Sequence, residues 1–139
     1  MSVYWVTGNT KSGKTTLARR LSQGQHNTVL LDGDALREVW PGLGLSKEDR
    51  QEQCLRVARL AQVLSEQGLN VVVAVIAPYE DLRRRIINIC GCAFIYVKGG
   101  LDNSEETPYE EPILSKRSIL QEQCFNLRQT SKTFLTSSL

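Results

Sequence analysis

The chain has 139 residues and a mass of 15.6 kDa, room for one domain around one hydrophobic core. Apolar residues make up 41% and charged residues 23%, a soluble globular composition that excludes a disordered chain. Lys+Arg 17 against Asp+Glu 15 leaves a net charge of +2, too even for an electrostatic binder of nucleic acid or membrane.

The first strand-like stretch begins at the N-terminus, Val3 to Thr7, so no signal or transit peptide fits. A glycine-rich turn follows, then a helix from about Lys14 to Gln23. Thr28 to Leu31 reads as a second strand, ending in Asp32-Gly33-Asp34. From Lys47 to Gln67 apolar residues recur at helical spacing (Leu55, Ala58, Ala61, Leu64), and Gly68 stops the helix. Ser46 is its expected N-cap, with Asp49 three residues on.

Asn70 to Ala77 is an unbroken apolar run ended by Pro78, the mark of a central parallel strand covered on both faces. It is also the longest apolar run, far below the roughly 20 residues that span a bilayer. A short basic helix, Glu80 to Asn88, leads to a fourth strand at Ala93 to Val97. Arg83-Arg84-Arg85 on that helix reads as a mostly solvated basic face. Residues 98–112, rich in glycine, proline and acidic side chains, read as a surface loop, followed by a last helix from about Ile113 to Leu127. Strands alternating with helices predict a single α/β domain, residues 1–139: a three-layer sandwich with a parallel sheet of four or five strands and helices on both faces. Cys54, Cys90, Cys92 and Cys124 form no C-x-x-C pair, and with one His the chain is short of zinc ligands. Reduced thiols in a cytoplasmic protein are expected.

Gly8-Asn9-Thr10-Lys11-Ser12-Gly13-Lys14-Thr15 satisfies G-x-x-x-x-G-K-[ST], between a predicted strand and a predicted helix. Gly8 and Gly13 let the backbone curl so that amide N–H groups converge on phosphate oxygens, and the helix start at Lys14-Thr15-Thr16 adds its dipole. Lys14 is expected to reach the β- and γ-phosphates, and the Thr15 hydroxyl to complete the coordination of Mg²⁺. This predicts a binder of a nucleoside triphosphate with Mg²⁺.

The class of nucleotide protein depends on where the carboxylates fall. Ser46-Lys47-Glu48-Asp49 only loosely mimics a guanine-reading N-K-x-D and is better read as a helix start. VVVAVIA ends in Ala77-Pro78, without the strand-end aspartate of motor and transport ATPases. Asp32 and Asp34 follow strand two instead, where small-molecule kinases place a base for the acceptor hydroxyl. Acidic helix starts are the alternative reading of both.

Leu31-Asp32-Gly33-Asp34-Ala35-Leu36-Arg37 resembles the L-D-G-D-x-[hydrophobic]-R segment of adenylylsulfate kinases. Leu45-Ser46-Lys47-Glu48-Asp49-Arg50 resembles their [FL]-S-x-x-D-R, and Val75-Ile76-Ala77-Pro78-Tyr79 with Arg83 their I-S-P-Y-x-x-x-R. Thr107-Pro108-Tyr109-Glu110-Glu111-Pro112 is similar to a late P-Y-E-x-P. The resemblance implies ATP-dependent phosphorylation of the 3′-hydroxyl of adenylylsulfate, with Lys14 and Asp34 catalytic and Asp34 the base. Arg37 and Arg50 would hold the acceptor's oxyanions. Asp32, Leu45, Gln53, Ile76, Ala77 and Pro78 complete the implied acceptor site.

Several positions depart from the family's pattern. Leu45 stands where a stacking phenylalanine is usual, Gln53 replaces an asparagine and Leu55 an arginine. Ala77 replaces a serine some members carry, which excludes a phosphoserine there. The R-D-x-K-G-L-Y lid segment has no counterpart after Tyr96-Val97. Two alternatives therefore stay open: a same-fold kinase for another nucleotide, sugar or phosphoramidate, and a non-catalytic nucleotide-binding module. A homodimer would suit the thin C-terminal third.

Overall fold

The computed structural model describes residues 2–9, 11–99 and 108–112. Within them the chain runs β1 (Val3–Thr7), α1 (Lys14–Ser22), β2 (Thr28–Asp32), α2 (Gly33–Val39), α3 (Lys47–Glu66), β3 (Asn70–Ala74), α4 (Glu80–Cys90) and β4 (Ala93–Tyr96). The strands form one sheet in the order β2-β3-β1-β4, every neighbouring pair parallel. The expected α/β sandwich with a parallel sheet is the one observed.

The period-two alternation of the strands divides two cores between the faces of the sheet. Val3 and Trp5 of β1, Val71 and Val73 of β3 and Phe94 of β4 turn to α3 and α4, where Val57, Ala58, Leu82 and Ile86 meet them. Tyr4, Val6, Val72 and Ile95 turn the other way, onto Leu17, Ala18 and Leu21 of α1. Trp5 is fully buried; truncating such a ring to alanine typically costs about 3–5 kcal/mol. The chain from β1 crosses to β2 on one side, while β3 is followed by β4 on the other. This reversal places a crevice at the carboxyl ends of β1 and β3, where sheets of this kind bind ligands.

Helix starts follow the predicted chemistry. The Ser46 hydroxyl accepts from the Asp49 N–H at 3.1 Å, and the Asp49 carboxylate in turn accepts from Gly44 N–H at 2.8 Å.

Three elements differ from the sequence reading. β3 leaves the ladder after Ala74, although the apolar run continues to Ala77. The next carbonyls are taken by side chains: Val75 O by Trp5 Nε1 at 2.9 Å, Ile76 O by Thr7 Oγ1, and Ala77 O by Arg83 Nη1 at 2.7 Å. Helix α2 is new; seven residues are too few to show a periodicity, and Asp32 caps it by accepting from Asp34 N–H. Of the expected surface loop, Lys98, Gly99, Glu110 and Glu111 are exposed, but Tyr109 and Pro112 are buried. The expected helix 113–127 lies outside the described residues.

Candidate active site

The phosphate-binding segment leaves β1 at Thr7 and enters α1 at Lys14. Gly13 occupies the N-cap at φ 101°, a left-handed backbone that only glycine adopts without strain. At Gly8 the constraint is space: a Cβ there would lie 2.5 Å from Val97 O and 2.7 Å from Ser12 Oγ. No side chain caps the N–H groups of α1 and its first turn holds no acidic residue, so its positive end is left for an anion. The Ser12 hydroxyl is buried beneath the loop with no hydrogen-bond partner among the described residues. Lys14 Nζ donates to Asn9 O at 3.1 Å, spanning the loop from inside. Partial burial lowers its pKa, against the opposing pull of the nearby Asp34 and Asp32 carboxylates.

That electrostatic link joins the loop to the second half of the site. One cavity of about 490 Å³ is lined by Asn9, Lys11, Lys14 and Thr15 of the glycine-rich loop and α1, and by Asp32, Asp34, Arg37, Leu45, Arg50 and Gln53. Ile76, Ala77 and Pro78 close the third wall. These residues come from the β1–α1 turn, the β2–α2 junction, the start of α3 and the β3–α4 turn, brought together by the parallel sheet. Thr16 is exposed and outside that lining; Gly8, Ser12 and Gly13 shape the loop beneath it; Thr10 lies outside the described residues.

The carboxylates divide their work. Asp32 serves as N-cap of α2 as well as lining the cavity, whereas Asp34 is exposed to the cavity on the first turn. Gln53, buried on α3, donates from Nε2 to Gly33 O at 3.2 Å and so fixes the start of α2 against α3. Arg37 Nη1 reaches Gly44 O at 3.4 Å, folding back over the loop that carries Leu45.

The residues present suit ATP with Mg²⁺. An uncapped helix start and Lys14 would oppose the phosphates, and Thr15 lines the same cavity as two carboxylates. Among the described residues no group of three His, Cys, Asp or Glu side chains could hold a metal by itself. Thr15 and the phosphate oxygens would therefore hold the ion, as Mg²⁺ sites commonly arrange.

The sequence profile described as Adenylylsulphate kinase matches residues 1–113. The chain belongs to the adenylylsulphate kinase family. It is 37% identical over 110 residues to an adenylyl-sulfate kinase of Myxococcus xanthus, covering 72% of this chain and 59% of that protein. An adenylyl-sulfate kinase of Paraburkholderia xenovorans is 40% identical over 101 residues, 69% of this chain and 56% of its own length. The chain thus spans somewhat over half of these relatives. A solved APS kinase of Mycobacterium tuberculosis superposes with a TM-score of 0.75 at 25% identity, over 97% of this chain and 94% of that one.

Measured against the family's pattern, the departures at Leu45, Gln53 and Ala77 line the cavity, whereas Leu55 is buried in the core. Leu45 lines the cavity mouth at 66% exposure, a small apolar contact where the pattern has a ring. Ala77 is fully buried, with φ at 46°. Cys54, beside Gln53 on α3, also lines the cavity, and burial pushes its thiol up to about 12. Sequence reasoning passed over Cys54 and Val75 because each reads as a core residue. It also placed Arg83 on a solvated face. Arg84 and Arg85 are exposed, but Arg83 is 2% exposed and held by Glu80, Ala77 and Glu110. The available signal was the family match of both Arg83 and the Pro108–Pro112 segment, which the fold packs together.

Proposed function

We propose that the chain is an ATP- and Mg²⁺-dependent kinase that transfers the γ-phosphate to the 3′-hydroxyl of adenylylsulfate. One observation supports this: a single cavity is lined by Lys14 and Thr15 of the glycine-rich loop together with Asp34, Arg37 and Arg50. A pure nucleotide binder has no need of an acceptor-side carboxylate. In the reaction, the Asp34 carboxylate takes the proton of the acceptor hydroxyl, whose oxygen bonds to the γ-phosphorus while the bond to the β-phosphate oxygen breaks and ADP leaves. Lys14 offsets charge spreading over the transferred group, and the arginine forks hold the acceptor's phosphosulfate.

Release of ADP, measured with adenylylsulfate, other nucleotides and sugars in turn, tests the proposal. Adenylylsulfate-dependent ADP is the expected result. Activity with another acceptor alone would move the assignment to a same-fold kinase, and no acceptor-dependent ADP would sink the kinase reading. The leucine at 45 keeps the second reading in view, because it offers a purine no π-face. Buried free thiols at Cys54, Cys90 and Cys92 support a cytoplasmic setting, and no helix among the described residues is long and apolar enough to cross a membrane. Self-association as a homodimer belongs to the same proposal; a similar fold from Thiobacillus denitrificans is a hexameric APS kinase, and sedimentation of the full chain decides it.

A further inference from the structure

Arg83 is a buried cation with each of its three guanidinium nitrogens hydrogen-bonded. Nη1 donates to Ala77 O at 2.7 Å, Nη2 to Glu80 Oε2 at 2.8 Å and to Glu110 O at 2.6 Å, and Nε to Glu80 Oε2 at 3.2 Å. Its guanidinium lies over the Tyr109 ring, 5.3 Å from the centroid. Burying such a charge is costly, and an apolar side chain in its place would fill the core at less expense. What the arginine adds is geometry: with the Glu110 N–H, which donates to Pro78 O at 2.7 Å, it joins the β3–α4 turn to the 108–112 segment.

The turn it holds is strained. Ala77 has a left-handed backbone without being glycine, a state that persists only where the surroundings over-determine it. Three successive carbonyls provide that, through Trp5, Thr7 and Arg83. Thr7 is the residue before Gly8, so the same hydroxyl that holds Ile76 O sits at the root of the phosphate loop. Having donated to Ile76 O, it accepts from the Tyr109 hydroxyl at 2.9 Å. A closed ring results: Thr7 to Ile76, along the turn to Ala77, through Arg83 to the Tyr109 face, and from the Tyr109 hydroxyl back to Thr7.

We propose that Arg83, braced by Tyr109, is a positioning residue for phosphoryl transfer, holding the Ile76–Pro78 wall of the acceptor half in register with the root of the phosphate loop. The inference rests on the cavity's being a nucleotide-plus-acceptor site. Displacing reacting groups by about 1 Å can cost on the order of 100-fold in rate, so a brace between the two halves acts on transfer without touching either substrate.

The test uses Arg83→Lys, Arg83→Met and Tyr109→Phe in the full chain, with two readouts. Cys54 reports the wall, because it lines the same cavity as Ile76, Ala77 and Pro78. Iodoacetamide labelling, resolved by peptide mass spectrometry, is expected to rise about 5-fold or more at Cys54, while Cys90 and Cys92, at the opposite end of α4 from Arg83, keep their rates. In steady state the acceptor KM should rise about 5- to 10-fold in each variant, with the ATP KM within about 2-fold of the parent. Arg83→Lys, keeping the charge but only one donor nitrogen, should fall between the parent and Arg83→Met. Equal acceleration at all three cysteines, or an unchanged Cys54 rate, would show a merely structural residue and overturn the proposal. Tyr109→Phe removes a single oxygen and keeps the test open if the Arg83 variants fail to fold. A parent chain inactive with every acceptor would defeat the kinase reading, while the Cys54 labelling still decides the brace.

Discussion

The two halves of the cavity are built in opposite ways. The proposed phosphate half is one continuous stretch of sequence, Gly8 to Thr15, with an uncapped helix start and one lysine bonded back to the loop. The acceptor half is assembled from the β2–α2 junction, the start of α3, the β3–α4 turn and Pro108, and its side chains are held by long-range bonds such as Gln53 to Gly33 and Arg83 to Glu110. A local device tolerates little substitution but is insensitive to distant changes. A composite wall can be retuned one residue at a time, and the departures from the family's pattern at Leu45, Gln53 and Ala77 all fall there.

The sharpest separation of the halves should come from Asp34→Asn. It is expected to lower kcat by about 100- to 10,000-fold, the range of a lost general base, while ATP affinity measured by calorimetry stays within about 2-fold. Turnover surviving this change would remove Asp34 from the base role. Lys14→Ala should do the reverse, weakening ATP binding by about 100-fold, as loss of a charged hydrogen bond to phosphate does. Because Lys14 is partly desolvated with a lowered pKa, its thermal midpoint should not fall; a clear drop would mean the lysine supports the loop structurally.

A smaller effect addresses the acceptor wall alone. Leu45→Phe restores a ring at the exposed cavity mouth and should lower the KM for adenylylsulfate by about 2- to 10-fold, leaving ATP untouched. A purine acceptor that gains nothing from the ring would mean that the base lies elsewhere. The smallest effect is on pH dependence. Burial raises Cys54 from its ordinary 9.0 to about 12, so the fold favours the neutral thiol. Its contribution is intact below about pH 9 and is lost as pH rises from there towards 12. Chemical denaturation of Cys54→Val should therefore show a shallower loss of stability across that alkaline window than the parent, and identical slopes would refute the assignment.

The alternation of β-branched strands with amphipathic stretches was enough to read the parallel sheet, and Ser46 with Asp49 marked the start of α3 through local capping chemistry. The end of β3 was not readable. Residues 75–77 have strand composition, yet their carbonyls bond to Trp5, Thr7 and Arg83, partners about seventy residues before or a helical turn after. Arg83 was misplaced for the same reason. Three arginines in a row look solvated by composition, and only the packing of the 108–112 segment against α4 buries the first of them.

The glycine-rich loop between β1 and α1 was thus legible in the sequence itself, because its geometry resides in contiguous backbone and neighbouring side chains. The residues of the other half were named through the family's motifs, and only the tertiary structure brought them into one cavity. Its walls meet only when the sheet places the ends of β1, β2 and β3 side by side, and its shape is set by buried bonds between residues far apart in the chain.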